Sequence, residues 1–288
     1  MNNKVGTVSN AMPLEKWGQY NLKGWKKVWI SFCHCLPPFP YLRRVAMLMR
    51  KPIKVVLVDW VDVSVWGLKL RLLPKGNLSE QRILFLPQFF DRVERLAIAK
   101  SLSQGGVFVD IGANIGSYSF WVASLGKDIK IEAFEPDVEL CQRMQFNLST
   151  NSIHNVHIHQ LALGDRSGTS TLKRNEENRG QTRVVESTGA SQGNVRIERL
   201  TDFLQNEQVD NITALKIDVE GNEVSVLKPL FESQYKHLWP RLIVCEIEKP
   251  CVLPADSPPW KLLNDVGYVL QSRTKLNGIF VLHDPVHT

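Results

Sequence analysis

The stretch Val107-Phe108-Val109-Asp110-Ile111-Gly112-Ala113-Asn114-Ile115-Gly116 decides the fold, because it runs a short β-branched strand directly into a glycine loop. Glycines in such a loop let the backbone approach a ligand, and the helix that follows offers unpaired N–H groups. Asp110 stands at the carboxyl end of the strand. Together these features predict a doubly wound α/β domain that receives a nucleotide. Spacing then separates the candidate nucleotides. A dinucleotide loop reads G-x-G-x-x-G, whereas this chain reads D-x-G-x-N-x-G, with Asn114 where the middle glycine would be. A pyrophosphate would meet the charge of Asp110. A cationic amino-acid ligand would instead pair its ammonium with that carboxylate and its own carboxylate with backbone amides. S-adenosylmethionine has both groups, so Asp110, Gly112, Ala113, Asn114 and Gly116 are read as cofactor-binding.

A second acid follows at the expected interval, in Lys130-Ile-Glu-Ala-Phe-Glu135-Pro136, 19 residues beyond Gly116. An acid about 20 residues on, at the tip of the second strand, is placed to accept both ribose hydroxyls. Pro136 lacks an N–H and fixes φ, so it ends the strand and opens a helix expected over 137–149.

Working outward, the pattern alternates: helix 117–125, strand 130–135, helix 137–149, strand 156–161. That alternation predicts a parallel sheet. Upstream, 53–73 reads as two strands, with Leu68, Leu70 and Leu72 alternating with Lys69 and Arg71. A helical stretch then runs to Gln104, stopped by Gly105-Gly106. Between 165 and 211, strands are expected at 169–173 and 195–199 around the polar loop 175–183. Two readings fit that loop, a substrate-contacting lid and a solvated surface segment. Strand 242–247, helix 260–266 and the pair 268–273 and 279–283 complete the domain, with Asn277-Gly278 as the expected hairpin turn.

Chemistry is expected at the end of the fourth core strand, Leu215-Lys216-Ile217-Asp218-Val219-Glu220-Gly221. Alternation puts Lys216 and Asp218 on one face, Leu215 and Ile217 on the other. Buried lysines are rarely unpaired, and Asp218, Glu220 and Glu246 are the candidate partners of Lys216. One reading has Lys216, Asp218, Glu220 and Glu246 orient a hydroxyl and accept its proton; the other has them form a structural ion pair under the cofactor loop.

The 288 residues, 43% hydrophobic, are enough for a substantial core. Charge is unevenly placed. Residues 1–54 hold ten Lys/Arg against Glu15 alone, a net +9; the whole chain carries +6, so the remainder carries −3. The division expected is a basic N-terminal extension, 1–54, and a catalytic domain, 55–288. The extension contains Trp17, Trp25 and Trp29 among its lysines, then an apolar run, 28–36, too short for the roughly 20 residues a bilayer requires. No cleavable signal is evident. Two readings fit: a helical cap packed on the catalytic domain, and a peripheral membrane contact in which indoles sit at headgroup level and lysines meet anionic lipid. Five cysteines form no disulfide framework in a chain this long, and Cys33-His34-Cys35 lacks a second pair at metal-ligand spacing. A cytoplasmic, reducing compartment is expected, with the extension peripheral at the membrane if it meets lipid.

The residues Phe108-Val-Asp-Ile-Gly-Ala-Asn-Ile-Gly-Ser-Tyr118, Ala133-Phe-Glu-Pro136, Asn147-Leu148, Leu161-Ala-Leu-Gly-Asp165, Leu215-Lys-Ile-Asp-Val-Glu-Gly221 and Glu246-Ile247, taken in order, resemble the FkbM family of S-adenosylmethionine-dependent methyltransferases. The resemblance spans roughly 77–250. It implies a class I methyltransferase fold, a Rossmann-like, seven-stranded, mostly parallel sheet with helices on both faces. It also implies S-adenosyl-L-methionine as cofactor, held by the residues above together with Glu135, Pro136 and Ala162. The family's better known members methylate hydroxyls of sugars or polyketides, so the implied partner is a sugar, glycan or polyketide-like acceptor. One departure lies upstream: Phe90-Asp91 stands where the family tends to carry Tyr-Glu. Asp218-Val-Glu-Gly also lacks the proline and aromatic with which nucleobase-amine methyltransferases hold a flat amine, and this argues against a nucleic-acid acceptor. Carboxylates suit a hydroxyl, which must lose a proton. No histidine joins Asp218 and Glu246, and no metal is expected. The alternatives to O-methylation are a nucleic-acid methyltransferase using the basic N-terminus and a non-catalytic, membrane-associated nucleotide-binding module.

Overall fold

The computed structural model describes residues 12–39, 41–42, 44–45, 48–49, 59–126, 128–173, 183–185, 195–247 and 252–283. The strand that leads into the glycine loop, β3 (Gly106–Ile111), is an inner strand of a seven-stranded sheet. On one side lie β4 (Ile129–Phe134) and β5 (Val156–His159); on the other β10 (Ala214–Ile217), β11 (Leu242–Glu246) and the antiparallel β13 (Asn277–Leu282) and β12 (Tyr268–Arg273). The strands from β5 to β11 run parallel. Chain direction across the sheet therefore reverses at β3, and the cleft between β3 and β10 at their carboxyl ends is where such sheets bind ligands.

Alternation along each strand feeds two cores. Phe108, Ile131, Ala133, Ala214 and Val244 enter one, with α4 (Ser117–Ala123) and α5 (Val138–Thr150); Val109, Ile111, Phe134, Leu215, Ile217 and Ile243 enter the other, with α6 (Leu200–Asn206) and α7 (Glu223–Leu227). A residue reversed in that alternation would place a charge in oil. Asp110 and Lys216 fall on the first face, directly opposite one another in the parallel register of β3 and β10.

Several expected elements resolve differently. The helical stretch ending near Gln104 is two helices, α2 (Leu78–Phe85) and α3 (Arg92–Ser101), because Pro87 cannot continue the ladder between them. The hairpin of β12 and β13 turns at Thr274–Leu276, where Thr274 N donates to Asn277 O at 2.8 Å. Asn277 and Gly278 already belong to β13. Gly278 is needed for packing, since a Cβ there would lie 2.5 Å from the Phe280 ring. The small strands β6 (Ala162–Leu163), β7 (Gly168–Lys173), β8 (Arg183–Val185) and β9 (Val195–Glu198) form a second sheet beside the cleft. The polar loop between β7 and β8 and the expected boundary at 54/55 lie outside the described residues.

Upstream, β1 (Val61–Val65) and β2 (Leu68–Leu72) pair through a two-residue turn, Trp66-Gly67, both at positive φ as the right-handed twist of a hairpin requires. The pattern exposing Lys69 and Arg71 on one wet face is only half followed: Arg71 is fully buried. Its guanidinium grips Asp62 through two bonds, 2.7 and 3.0 Å, and donates to the carbonyls of Pro13, Glu15 and Lys16. The rings of Tyr20 and Phe146 cover it. Asp62 in turn accepts from Gly18 N and Tyr20 N. One buried ion pair thus fastens residues 13–20 to the hairpin, and Asn147 Oδ1, accepting from Arg71 N, fastens the hairpin to α5.

Arg71→Ala would leave Asp62 charged and buried without its partner, which costs about 3–5 kcal/mol. Equilibrium denaturation should show a loss of that size; a loss below about 1 kcal/mol would contradict the role given to this pair.

Candidate active site

Gly112 begins the turn out of β3 at φ +69°, and a Cβ on it would stand 2.0 Å from the carbonyl oxygen of Asp218. The glycine is required because the ends of β3 and β10 touch backbone to backbone. Asn114 and Gly116 also take positive φ, folding the loop back toward α4. Below the loop, Asp110 Oδ2 accepts from Ser119 N at 3.1 Å and Ser119 Oγ at 2.6 Å, tying the strand to the first turn of α4. Lys216 Nζ donates to Gly112 O at 2.9 Å and stands 3.7 Å from both Asp110 Oδ1 and Asp218 Oδ2. Burial works against the Lys216 ammonium, yet the charges of Asp218, Asp110 and Glu135 hold its pKa above the ordinary value. Of the acids expected to pair with Lys216, only Asp218 is at ion-pair distance, and its second partner is Asp110.

Glu135 closes the other side of the loop. Its Oε2 accepts from Asn114 N at 2.8 Å and its Oε1 from Asp137 N at 2.9 Å. Burial outweighs these two amides and pushes its pKa up to about 7. Asp137 then caps α5, accepting from Glu139 N at 2.8 Å, so the strand tip and the helix start are one hydrogen-bonded unit.

These groups surround a cavity of about 1050 Å³. Gly112, Ala113, Asn114, Glu135, Pro136, Ala162, Lys216, Asp218, Glu220 and Glu246 all line it. Asp110 and Gly116 do not: Asp110 is wholly buried behind the loop, and Gly116 packs against Met144 and Phe120. Asp110 therefore reaches the cavity only through Lys216 and α4, and does not stand where it would meet an ammonium directly. On the far wall, Glu246 faces Asp218, and burial together with that neighbouring charge raises the Glu246 pKa to about 8, so Glu246 holds its proton at neutral pH.

Sequence patterns did not reveal the third wall. Asp91, in the turn between α2 and α3, lines the cavity at φ +35°. It pairs with Arg82 at 2.6 Å and accepts from Tyr118 Oη at 3.2 Å, and burial raises its pKa. No periodicity marks such a residue; the only signal was that Phe90-Asp91 departs from the Tyr-Glu of the family it resembles.

With this geometry in view, comparison with known proteins is decisive at one level. The sequence profile described as Methyltransferase FkbM domain matches residues 110–269, more than half the chain. The chain belongs to the FkbM methyltransferase family. This FkbM protein is similar to Methyltransferase sdnD of Sordaria araneosa, 28% identical over 202 residues that cover 59% of this chain and 76% of that one. It is also similar to Methyltransferase 1 of Beauveria bassiana (strain ARSEF 2860), 30% identical over 149 residues covering 44% and 59%. Among solved structures it resembles the precorrin-6y C5,15-methyltransferase of Geobacter metallireducens, at 14% identity and TM-score 0.35 over 65% of this chain and 85% of that one. The FkbM chain is thus an S-adenosylmethionine-dependent methyltransferase of Rossmann-like fold.

A carboxyl whose pKa rises on folding holds its proton more tightly in the native chain, so its contribution to stability is complete below the unfolded value and is lost as pH climbs through the folded one. For Glu135 that window runs from 4.5 to about 7, and for Glu246 from 4.5 to about 8. The ligand-free protein should therefore lose stability between about pH 4.5 and 8, with Glu135 alone contributing about 3 kcal/mol. Denaturant midpoints measured across that range check this; a midpoint that rises with pH would contradict it.

Proposed function

We propose that this enzyme transfers the methyl group of S-adenosylmethionine to a hydroxyl of a sugar, glycan or polyketide-like acceptor. The observation that carries the reading is the placing of two carboxyls, Asp218 and Glu246, on the wall of the cavity at the end of β10 and β11, where the charge of one raises the pKa of the other. Oxygen must lose its proton in or near the transfer step, and a carboxyl with its pKa near 8, such as Glu246 once deprotonated, is matched to take it. A nucleobase amine has no need of such a base, and neither proline nor aromatic follows Asp218 to hold one flat.

The cavity suits the cofactor as well as the acceptor. About 1050 Å³ exceeds the volume of one drug-sized ligand site, leaving room for two occupants side by side. Glu135, with each carboxylate oxygen already accepting one amide and retaining a further lone pair, is the residue we assign to the ribose hydroxyls. Ala113 and Asn114 supply the adjoining loop backbone, with Pro136 and Ala162 on the adenosine side. When bound, S-adenosylmethionine supplies a methyl group already activated on a sulfonium. What the chain must do is align the acceptor oxygen and receive its proton. Lys216 holds Gly112 and Asp218 in fixed relation, and the Asp218–Glu246 pair accepts the proton, with Glu220 adding negative charge that keeps the pair basic.

Two outcomes follow. Asp218→Asn should keep S-adenosylhomocysteine affinity within about threefold while lowering turnover on a hydroxyl acceptor by about 100- to 10,000-fold. Wild-type turnover should rise with pH through about 8. The assay is radiolabelled methyl transfer across a panel of saccharides, polyketide alcohols and amine-bearing nucleosides; full turnover by Asp218→Asn, or product only with the amines, would sink the reading. Separately, Glu135→Ala should weaken S-adenosylhomocysteine binding by about 1.5–3 kcal/mol in calorimetry, the usual range for hydrogen bonds to a charged group, and unchanged affinity would remove Glu135 from the site.

A further inference from the structure

Helix α1 (Gly24–Cys35) is amphipathic in an unusual sense: it is apolar on both sides. Its inner side buries Ile30 and Cys33 against α2, with Trp29 and Leu36 packed beside them. The chain after it is fixed too, since Gln88 Nε2 donates to the carbonyls of Cys33 and Leu36. A helix so fastened should be polar outside. Instead Trp25, Val28 and Phe32, which fall within about 60° of one another around a 3.6-residue turn, are 55, 70 and 56% exposed. Beyond the helix the apolar surface continues through Phe39 and Tyr41, stacked at 5.6 Å and both exposed, to Pro38, which lines the active-site cavity. Leu78 and Val93, each about half exposed, stand on the same rim.

Charge indicates what covers this surface. Lys16, Lys23, Lys27 and Arg44, in the same segment of the chain, are exposed. The first 54 residues carry +9 against −3 for everything else, so the positive charge of the chain is concentrated in the segment that holds the exposed tryptophan and phenylalanine. Apolar and aromatic side chains on one face of a helix already anchored from below, in a segment rich in exposed lysine, suit a membrane interface: the rings enter the headgroup region and the ammonium groups meet anionic lipid. No helix among the described residues is long and apolar enough to cross a membrane, so attachment through this face would be peripheral.

We infer that the outer face of α1, with Trp25, Val28 and Phe32 at its centre and the exposed Lys23 and Lys27 on its flank, docks this methyltransferase on an anionic lipid bilayer. The inference does not depend on which acceptor is methylated. It also combines the two roles weighed for the N-terminal segment, because the inner side of α1 packs on the protein while the outer side meets lipid.

The test uses the full chain with vesicles of phosphatidylcholine alone and of phosphatidylcholine with phosphatidylglycerol, read by co-sedimentation. Binding should be at least tenfold stronger to the anionic vesicles at 0.1 M salt. It should fall at least tenfold at 1 M, where the screening length has shrunk from about 10 to about 3 Å. The triple variant Trp25→Ser, Val28→Ser, Phe32→Ser should lose at least tenfold in partitioning, and so, separately, should Lys23→Glu with Lys27→Glu. Both variants leave Ile30 and Cys33 in place, and both must retain the wild-type unfolding midpoint and S-adenosylhomocysteine affinity. Equal binding to neutral and anionic vesicles, no binding to either, or undiminished binding by a folded variant would overturn the inference.

Discussion

An ammonium on a central strand is costly to bury, and the geometry of the cleft follows from how the Lys216 ammonium is satisfied. Its hydrogen bond to Gly112 O and its two flanking carboxylates, Asp110 and Asp218, draw the ends of β3 and β10 into contact. That contact is what forces glycine at 112, since the Asp218 carbonyl fills the space a side chain would need. Asp110, pinned on its other side by Ser119, carries the constraint into α4. Removing Lys216 would leave Asp110 buried without its complement, and in a medium of low dielectric that is expensive.

The remaining acids of the cleft follow from the same confinement. Glu135, Asp91 and Glu246 sit in three different walls, yet burial lifts the pKa of each. Glu135 is surrounded by amides and Asp91 by a guanidinium and a phenol, arrangements that hold geometry. Glu246 has another carboxyl for its partner, an arrangement that holds a proton. That contrast separates the residues assigned to binding from the pair assigned to chemistry. Glu132, on the far face of β4, shows the opposite regime: Lys130, His157 and His159 surround it, and its pKa falls to about 2 despite burial.

The glycine loop and the acid at the tip of the next strand were legible in the sequence because each joins a residue type to a fixed interval, and intervals survive folding. The alternation that set Lys216 apart from Leu215 and Ile217 was legible for the same reason. So was one partner, Asp218, but its second partner was not. Asp110 is 106 positions away, and only the β3–β10 register sets the two side by side. Alternation gives the face of a strand but never its neighbour. Asp91 was hidden because a turn between helices has no period, and Asn277-Gly278 misled because glycine's use there is to clear the Phe280 ring, which looks the same in sequence as its use in a turn. Arg71, placed by pattern on a wet face, is buried because residues 13–20 fold over it, a long-range event that strand alternation does not encode.

Replacing the central ammonium tests the account most directly. Lys216→Met keeps the length and apolar stem of the side chain and deletes the charge that joins Gly112 to Asp110 and Asp218. Calorimetric titration with S-adenosylhomocysteine should show affinity reduced about 10- to 100-fold, the equivalent of one charged hydrogen bond lost from the loop, in a protein that still unfolds cooperatively. Wild-type affinity in that variant would show that the loop holds its shape without Lys216, and the central claim would fail.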